Sequence, residues 1–231
     1  MGRRASADAR IAKATAGKAG AADRPRSRKG AETRARLVEA AKAVFETDGF
    51  LDARITDIAE GAGVSHGSFY HYFDSKEQVF REVADALDDR LNAPLSDVIF
   101  PSSHASPRER ISEGNRQFLV SYQRDARLIS EVEQVSRYDH DLMAERRQHL
   151  QTYGKQLAAS IVEMQRVGLV DRELDPVLAS HAVGAMVTRF ADLWLTQGIV
   201  ECTLDEAVDQ LSRLVGNALQ LPEALPERFG S

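Results

Sequence analysis

From about residue 31 onward, large apolar side chains recur every three or four positions and rarely every second one. Leu37, Ala41, Val44 and Phe45 fall at i, i+4, i+7 and i+8, which draws one inward stripe along a helix. Asp48-Gly49 is expected to end that helix, because glycine suits the left-handed position after a helix terminus. Ile55, Ile58, Ala59 and Ala62 make a short second stripe that stops at Gly63. Ser65 is placed to cap a third short helix carrying Phe69, Tyr72 and Phe73. Ser75-Lys76-Glu77-Gln78 reads as a capping box and opens a longer helix, with Val79, Phe80, Val83, Leu87 and Leu91 inward and a stop at Pro94.

The same periodicity continues after a predicted loop at 94–107. Ser106-Pro107-Arg108-Glu109 combines an N-cap, a proline at the first helical position and a glutamate at the third. Helical pattern then runs to about Gln123 and resumes from 125 to 137. A long amphipathic stretch spans 139–167 and ends at Gly168. Asp175-Pro176 opens another helix, running to about Gln197 before Gly198. Thr203 to Glu206 is a further capping box, with helix to about Leu219 and a frayed end at Pro222 and Pro226. No alternating strand pattern and no internal repeat is evident. The expected fold is all-α with about nine helices. A small N-terminal unit of three short helices, residues 31–80, precedes a larger helical body over 81–221.

Composition refines this picture. The chain has 231 residues and a formal net charge of -5, but the charge is uneven. Residues 1–30 carry nine Lys/Arg against Asp8 and Asp23, while the remainder is strongly acidic. With almost no large apolar side chain, residues 1–30 cannot bury enough surface to fold alone and are expected to be a disordered basic arm. Such an arm suits a polyanion. Its Arg, Ala and Ser content also faintly suggests a transit peptide. Residues 222–231 are expected to be flexible. One cysteine, Cys202, excludes an internal disulfide and a cysteine-based zinc site. No apolar run approaches the ~18 residues of a membrane helix, so a cytoplasmic protein without membrane partners is expected.

The informative stretch is Ile55–Phe73, ITDIAEGAGVSHGSFYHYF. Two short helices meet at a glycine-containing turn, with small Ala59 permitting close approach and Phe69 placed to plug the angle between them. Together with LVEAAKAVFETDGF (Leu37–Phe50), DIAEGAGVS (Asp57–Ser65), GSFYHYF (Gly67–Phe73) and SKEQ (Ser75–Gln78), this segment resembles the DNA-binding domain of the tetracycline-repressor (TetR/AcrR) family of bacterial transcription regulators. The resemblance covers about 48 residues; beyond residue 81 it is architectural only.

A recognition helix offers its first residues to base edges in the major groove, here Ser65, His66, Gly67 and Ser68. The resemblance adds Tyr70 and His71 as backbone or base contacts and Lys76 as a phosphate contact, with Arg54 and Thr56 at the start of the second helix. Arg54 stands where the family usually has a capping threonine, so the cap is expected to be lost. His66 replaces a residue that is often Lys or Arg. Gly61 interrupts a helix and is expected to cost up to ~1 kcal/mol. Residues 31–80 hold five Lys/Arg and nine Asp/Glu, so the unit itself is acidic and needs the arm for phosphate neutralisation.

In the body, Val183, Val187, Phe190 and Trp194 share one spacing, and Leu204, Val208, Leu211 and Val215 repeat it. The resemblance implies that these last two helices form a homodimer interface, with Gly184 allowing close approach. The alternative is an intramolecular core. Leu87, Phe118, Tyr122, Leu128, Val132, Met143, Tyr153 and Trp194 are candidates to line a cavity for a partly apolar small-molecule effector. The implied function is a dimeric repressor released by that effector from a palindromic operator in double-stranded DNA. Activation is an open alternative. A third reading, an all-α metal-dependent enzyme, would use the acidic face of Asp85, Asp88 and Asp89. No cofactor and no nucleophile constellation is indicated, and an enzyme is not expected.

Overall fold

The computed structural model of the chain describes residues 28–99 and 106–222. Among these residues there are eight α-helices, one π-helical turn and no strand, so the protein is all-α as its periodicity predicts. The helices are α1 (Arg28–Asp52), α2 (Ile55–Gly61), α3 (His66–Phe69), α4 (Lys76–Ile99), α5 (Pro107–Val135), α6 (His140–Arg166), α7 (Pro176–Ala191) and α8 (Leu204–Ala218). The π-helical turn, Asp192–Thr196, follows α7 directly. The expected arm lies outside the described residues as far as Ser27, and its last three residues form the first turn of α1. Beyond Pro222 the expected flexible end also lies outside them.

Local chemistry sets most boundaries. In α1 the helix proper reaches Asp48, and Gly49 (φ 74°, ψ 170°) redirects the chain before one more turn to Asp52. That pair of angles is open essentially to glycine alone. Gly63 (φ 66°) closes α2: its N–H donates to the Glu60 carbonyl and the Val64 N–H to the Ala59 carbonyl, both at 2.9 Å, a Schellman cap. Two of the predicted capping boxes form, Ser106 with Glu109 and Thr203 with Glu206. At α4, Gln78 Oε1 instead accepts from the Asp74 N–H, one residue earlier than a box requires.

Two boundaries differ from expectation. Pro94 does not end α4, which continues to Ile99. A proline forfeits its own N–H bond, but the helix around it is not obliged to stop. The predicted break between 123 and 125 is a kink at Asp125 (φ -105°, ψ 15°) inside one helix, α5, rather than a gap between two.

α5 is the central strut. It packs on α4 along its length, on α8 through its N-terminal half and on α1 beyond the kink. α6 packs on α4 and α7. One apolar cluster runs through the molecule, from Leu37, Phe45 and Phe69 at one end to Val208, Leu211 and Val215 at the other. α4 crosses the expected boundary at residues 80 and 81 without interruption, with Val79 and Phe80 packed in the same cluster as Val83 and Leu87.

Candidate nucleic-acid interface

Ile58, Ala59 and Phe69 are buried completely or nearly so and hold α2 against α3. Phe69 stacks obliquely on Phe73, with ring centroids 5.6 Å apart. Gly61 has a role that helix propensity does not reveal. A Cβ there would lie 3.3 Å from the Ala40 Cβ, so glycine lets α2 sit close on α1.

With Phe69 and Phe73 turned inward, the other faces of α3 and the turn after it point out. Ser65, His66, Gly67, Tyr70 and His71 are all exposed, and a Cβ on Gly67 would meet nothing within 4 Å. Ser65 is the N-cap, its Oγ accepting from the Ser68 N–H at 3.2 Å and lying 2.8 Å from the Ser68 hydroxyl. The His66 ring meets the Tyr70 ring edge to face, with centroids 5.4 Å apart. Thr56 and Arg54 are exposed on the adjoining helix start, where Arg54 stands at the N-cap position without making a side-chain cap, as anticipated. Thr56 donates to Asp57 at 3.2 Å.

Lys76 is placed differently from these. Its ammonium donates to the carbonyls of Phe50 (2.6 Å), Leu51 (3.0 Å) and Ala53 (2.9 Å), and it stands 4.8 Å from the Phe50 ring centroid. Arg34, which the sequence did not single out, donates to the Tyr72 carbonyl at 2.7 Å and to Glu82, and lies 4.3 Å from the Phe73 ring centroid. Both cations therefore hold the α2–α3 unit to the helices around it.

The unit joins the body through α5. Asp125, at the kink, is buried among Lys42 of α1 (2.9 Å), Arg124 (3.0 Å) and Arg90 of α4 (3.6 Å). Burial alone would raise its pKa, but hydrogen bonds from Arg124 and Lys42 and the charge of Arg90 outweigh that and hold it below its ordinary value of 3.8. Arg127 donates to the Thr47 carbonyl at 3.2 Å, and Glu131 accepts the Phe50 N–H at 2.9 Å. A run of α5 contacts thus grips the C-terminal end of α1. No sequence motif flagged these pairs; the only trace was the helical break near 124.

Of the cavity candidates, Leu87, Tyr122, Leu128 and Val132 are buried together in the core, and Phe118 and Trp194 pack against it. Burial raises the Tyr122 phenol to about 12. Leu142 takes the inward position on α6 and leaves Met143 exposed. Tyr153 lies towards the surface, its hydroxyl donating to Asp89 at 3.0 Å. A recess of about 410 Å³ occurs elsewhere, at the α1–α4–α5 corner, lined by Phe50, Glu77, Val135, Tyr138, Asp139, His140 and Asp141.

The apolar lines on α7 and α8 are divided between the core of the protomer and its half-buried flank. Val187, Val208, Leu211 and Val215 are buried within the protomer, α8 against α5, so they offer no area to a second chain. Val183, Gly184, Phe190 and Leu204 are half-buried. What these helices leave outward includes Leu178 and Leu214.

On the acidic face, Asp85 and Asp88 share one basic partner and Asp89 has another. Asp85 and Asp88 lie 3.9 and 3.6 Å from His149 Nδ1, Asp88 also faces Arg146 at 3.7 Å, and Asp89 accepts from Tyr153. Burial raises the pKa of Asp85 and of Asp88. Among the described residues no group of His, Cys, Asp or Glu is arranged to hold a metal ion, so the enzyme reading has no support in this geometry. Nor is any helix among them long and apolar enough to cross a membrane.

Comparison with known proteins agrees with this layout. Residues 37–83 match the profile of bacterial regulatory proteins of the tetR family. The chain is 25% identical over 171 residues to the HTH-type transcriptional regulator YdgC of Bacillus subtilis, covering 74% of this chain and 85% of that protein. It is 40% identical over 78 residues to the HTH-type transcriptional repressor KstR2 of Mycobacterium tuberculosis, covering 34% of this chain and 38% of that repressor. The crystal structure of the transcriptional regulator FadR of Bacillus subtilis, in complex with stearoyl-CoA, superposes with a TM-score of 0.64 at 19% identity, covering 78% of this chain and 96% of FadR. Over residues 37–83 the chain thus carries a helix-turn-helix unit like that of the tetR family of bacterial regulatory proteins, set on a helical body whose fold is similar to that of FadR.

Proposed function

We propose that this protein is a sequence-specific transcription repressor that binds a palindromic operator as a homodimer and is released by a small-molecule effector. The observation that carries the reading is the capped α3, which turns Ser65, His66, Gly67, Ser68, Tyr70 and His71 outward over a fully buried Phe69. A recognition helix requires that combination of a rigid back and a polar front end. Arg54 and Thr56 add contacts beside it. Residues 31–80 act as the DNA-binding unit and 81–221 as the effector and dimer unit, in the cytoplasm, with the basic arm over 1–30 assisting on the phosphate backbone. Two copies place two such helices about one helical turn apart on DNA.

The effector is a molecule with a substantial apolar part, held between α4, α5 and the π-helical turn near Leu87, Phe118, Tyr122 and Trp194. FadR, with stearoyl-CoA bound, is a structural precedent for such a ligand in this fold. By linkage, the effector must weaken DNA binding by the same factor by which DNA weakens effector binding.

The test is selection from a random duplex pool by the full-length protein, followed by competition with a scrambled duplex at low salt. Enrichment of an inverted repeat, preferred at least tenfold over the scrambled competitor, is expected. Absence of any preference would overturn the reading.

A further inference from the structure

We propose that Lys76 is a positioning residue of the DNA-binding unit rather than one of its phosphate contacts, and that Arg54 supplies the backbone charge beside the recognition helix; this rests on the DNA-binding reading above. An ammonium has three N–H donors. Those of Lys76 go to three carbonyls at 2.6, 3.0 and 2.9 Å, which leaves none for a phosphate oxygen. The acceptors Phe50, Leu51 and Ala53 span the link from α1 to α2. A cation there satisfies carbonyls that the end of α1 leaves without helical partners. From the other side Glu131 holds the Phe50 N–H. The approach of the chain to α2, and with it the angle at which α2 and α3 are presented, is therefore set by Lys76 and Glu131 together.

The neighbouring cations are similarly committed. Arg34 is held by Glu82 and the Tyr72 carbonyl, Lys42 by Asp125, and Arg81 by Asp139 and Asp141. Arg54 differs: it is exposed and has no side-chain hydrogen bond or ion pair among the described residues. It stands one residue before α2, the helix that packs directly on α3.

Salt dependence separates the two roles, because each phosphate neutralised contributes about 0.9 to the slope of log K against log salt, whereas a positioning group contributes nothing. Full-length wild type, Lys76→Met and Arg54→Gln are titrated with a duplex enriched by the wild type and with its scrambled counterpart, between 50 and 200 mM salt (roughly the range over which such slopes are read). Circular dichroism confirms that each is fully helical at the working temperature. Lys76→Met is expected to keep the wild-type slope on both duplexes while its preference for the selected one falls tenfold or more. Mere loss of stability would not move that preference in a fully folded sample. Arg54→Gln is expected to lower the slope by about one. A slope reduced by about one in Lys76→Met, with preference retained, overturns the proposal. Should Lys76→Met not fold, an unchanged slope in Arg54→Gln overturns it as well. If the wild type itself selects no duplex, the DNA-binding reading fails instead.

Discussion

Single positions set how closely this molecule's parts approach. Gly49 combines a glycine-only backbone with a crowded site, since a Cβ there would lie 3.3 Å from both carboxylate oxygens of Glu131. Gly49→Ala is expected to lose about 2 kcal/mol, read as a lower urea midpoint with an unchanged slope. Gly61 is a position whose use the sequence concealed. Propensity scores a residue against its own helix, and the reason for this glycine is Ala40 on another one. The same limit applies to Lys76. The family resemblance singled it out, but three carbonyls contributed by another helix end cannot be read from the sequence around it.

Among the elements, the caps were the most legible features. Ser65, Ser106, Asp175 and Thr203 all accept the hydrogen bonds expected of them, because a cap is decided within four residues. The kink in α5 was visible as a lapse in periodicity, and its cause, the buried Asp125, was not. Asp125→Asn would leave Lys42 and Arg90 without their anion at a partly buried junction and is expected to cost about 2 kcal/mol. Acid titration checks the origin of that loss. A carboxyl held below its ordinary value in the fold stabilises the fold above 3.8, and the contribution disappears as pH falls through the lower folded value. The wild-type melting temperature should therefore fall more steeply below about pH 4 than that of Asp125→Asn. For α7 and α8, periodicity located the apolar stripe correctly but not what it covers. A stripe specifies which face is hidden, and here α8 hides it against α5 of its own chain.

The whole molecule combines an acidic DNA-binding unit with basic residues gathered at one end of the chain. In the proposed complex, removal of residues 2–27 is expected to weaken binding to every duplex and to flatten the salt slope; an unchanged slope would count against a role for the arm. In the proposed homodimer, the partner must meet outward positions of α7 and α8. Leu214→Glu, at a residue 54% exposed in the protomer, is expected to shift the sedimentation coefficient from dimer towards monomer while leaving helicity unchanged.

The unbroken passage of α4 from Lys76 to Ile99 has a practical corollary for dissection of the protein. A fragment truncated after Phe80 would lack Glu82, the carboxylate that clasps Arg34. It would also lack Val83 and Leu87, which continue the apolar packing begun by Phe45 and Phe80. The fragment would thus end in a fraying helical stump and carry an aromatic surface open to water. A soluble reader of DNA cut from this chain would have to carry a long stretch of that helix, together with enough of its neighbours to cover it.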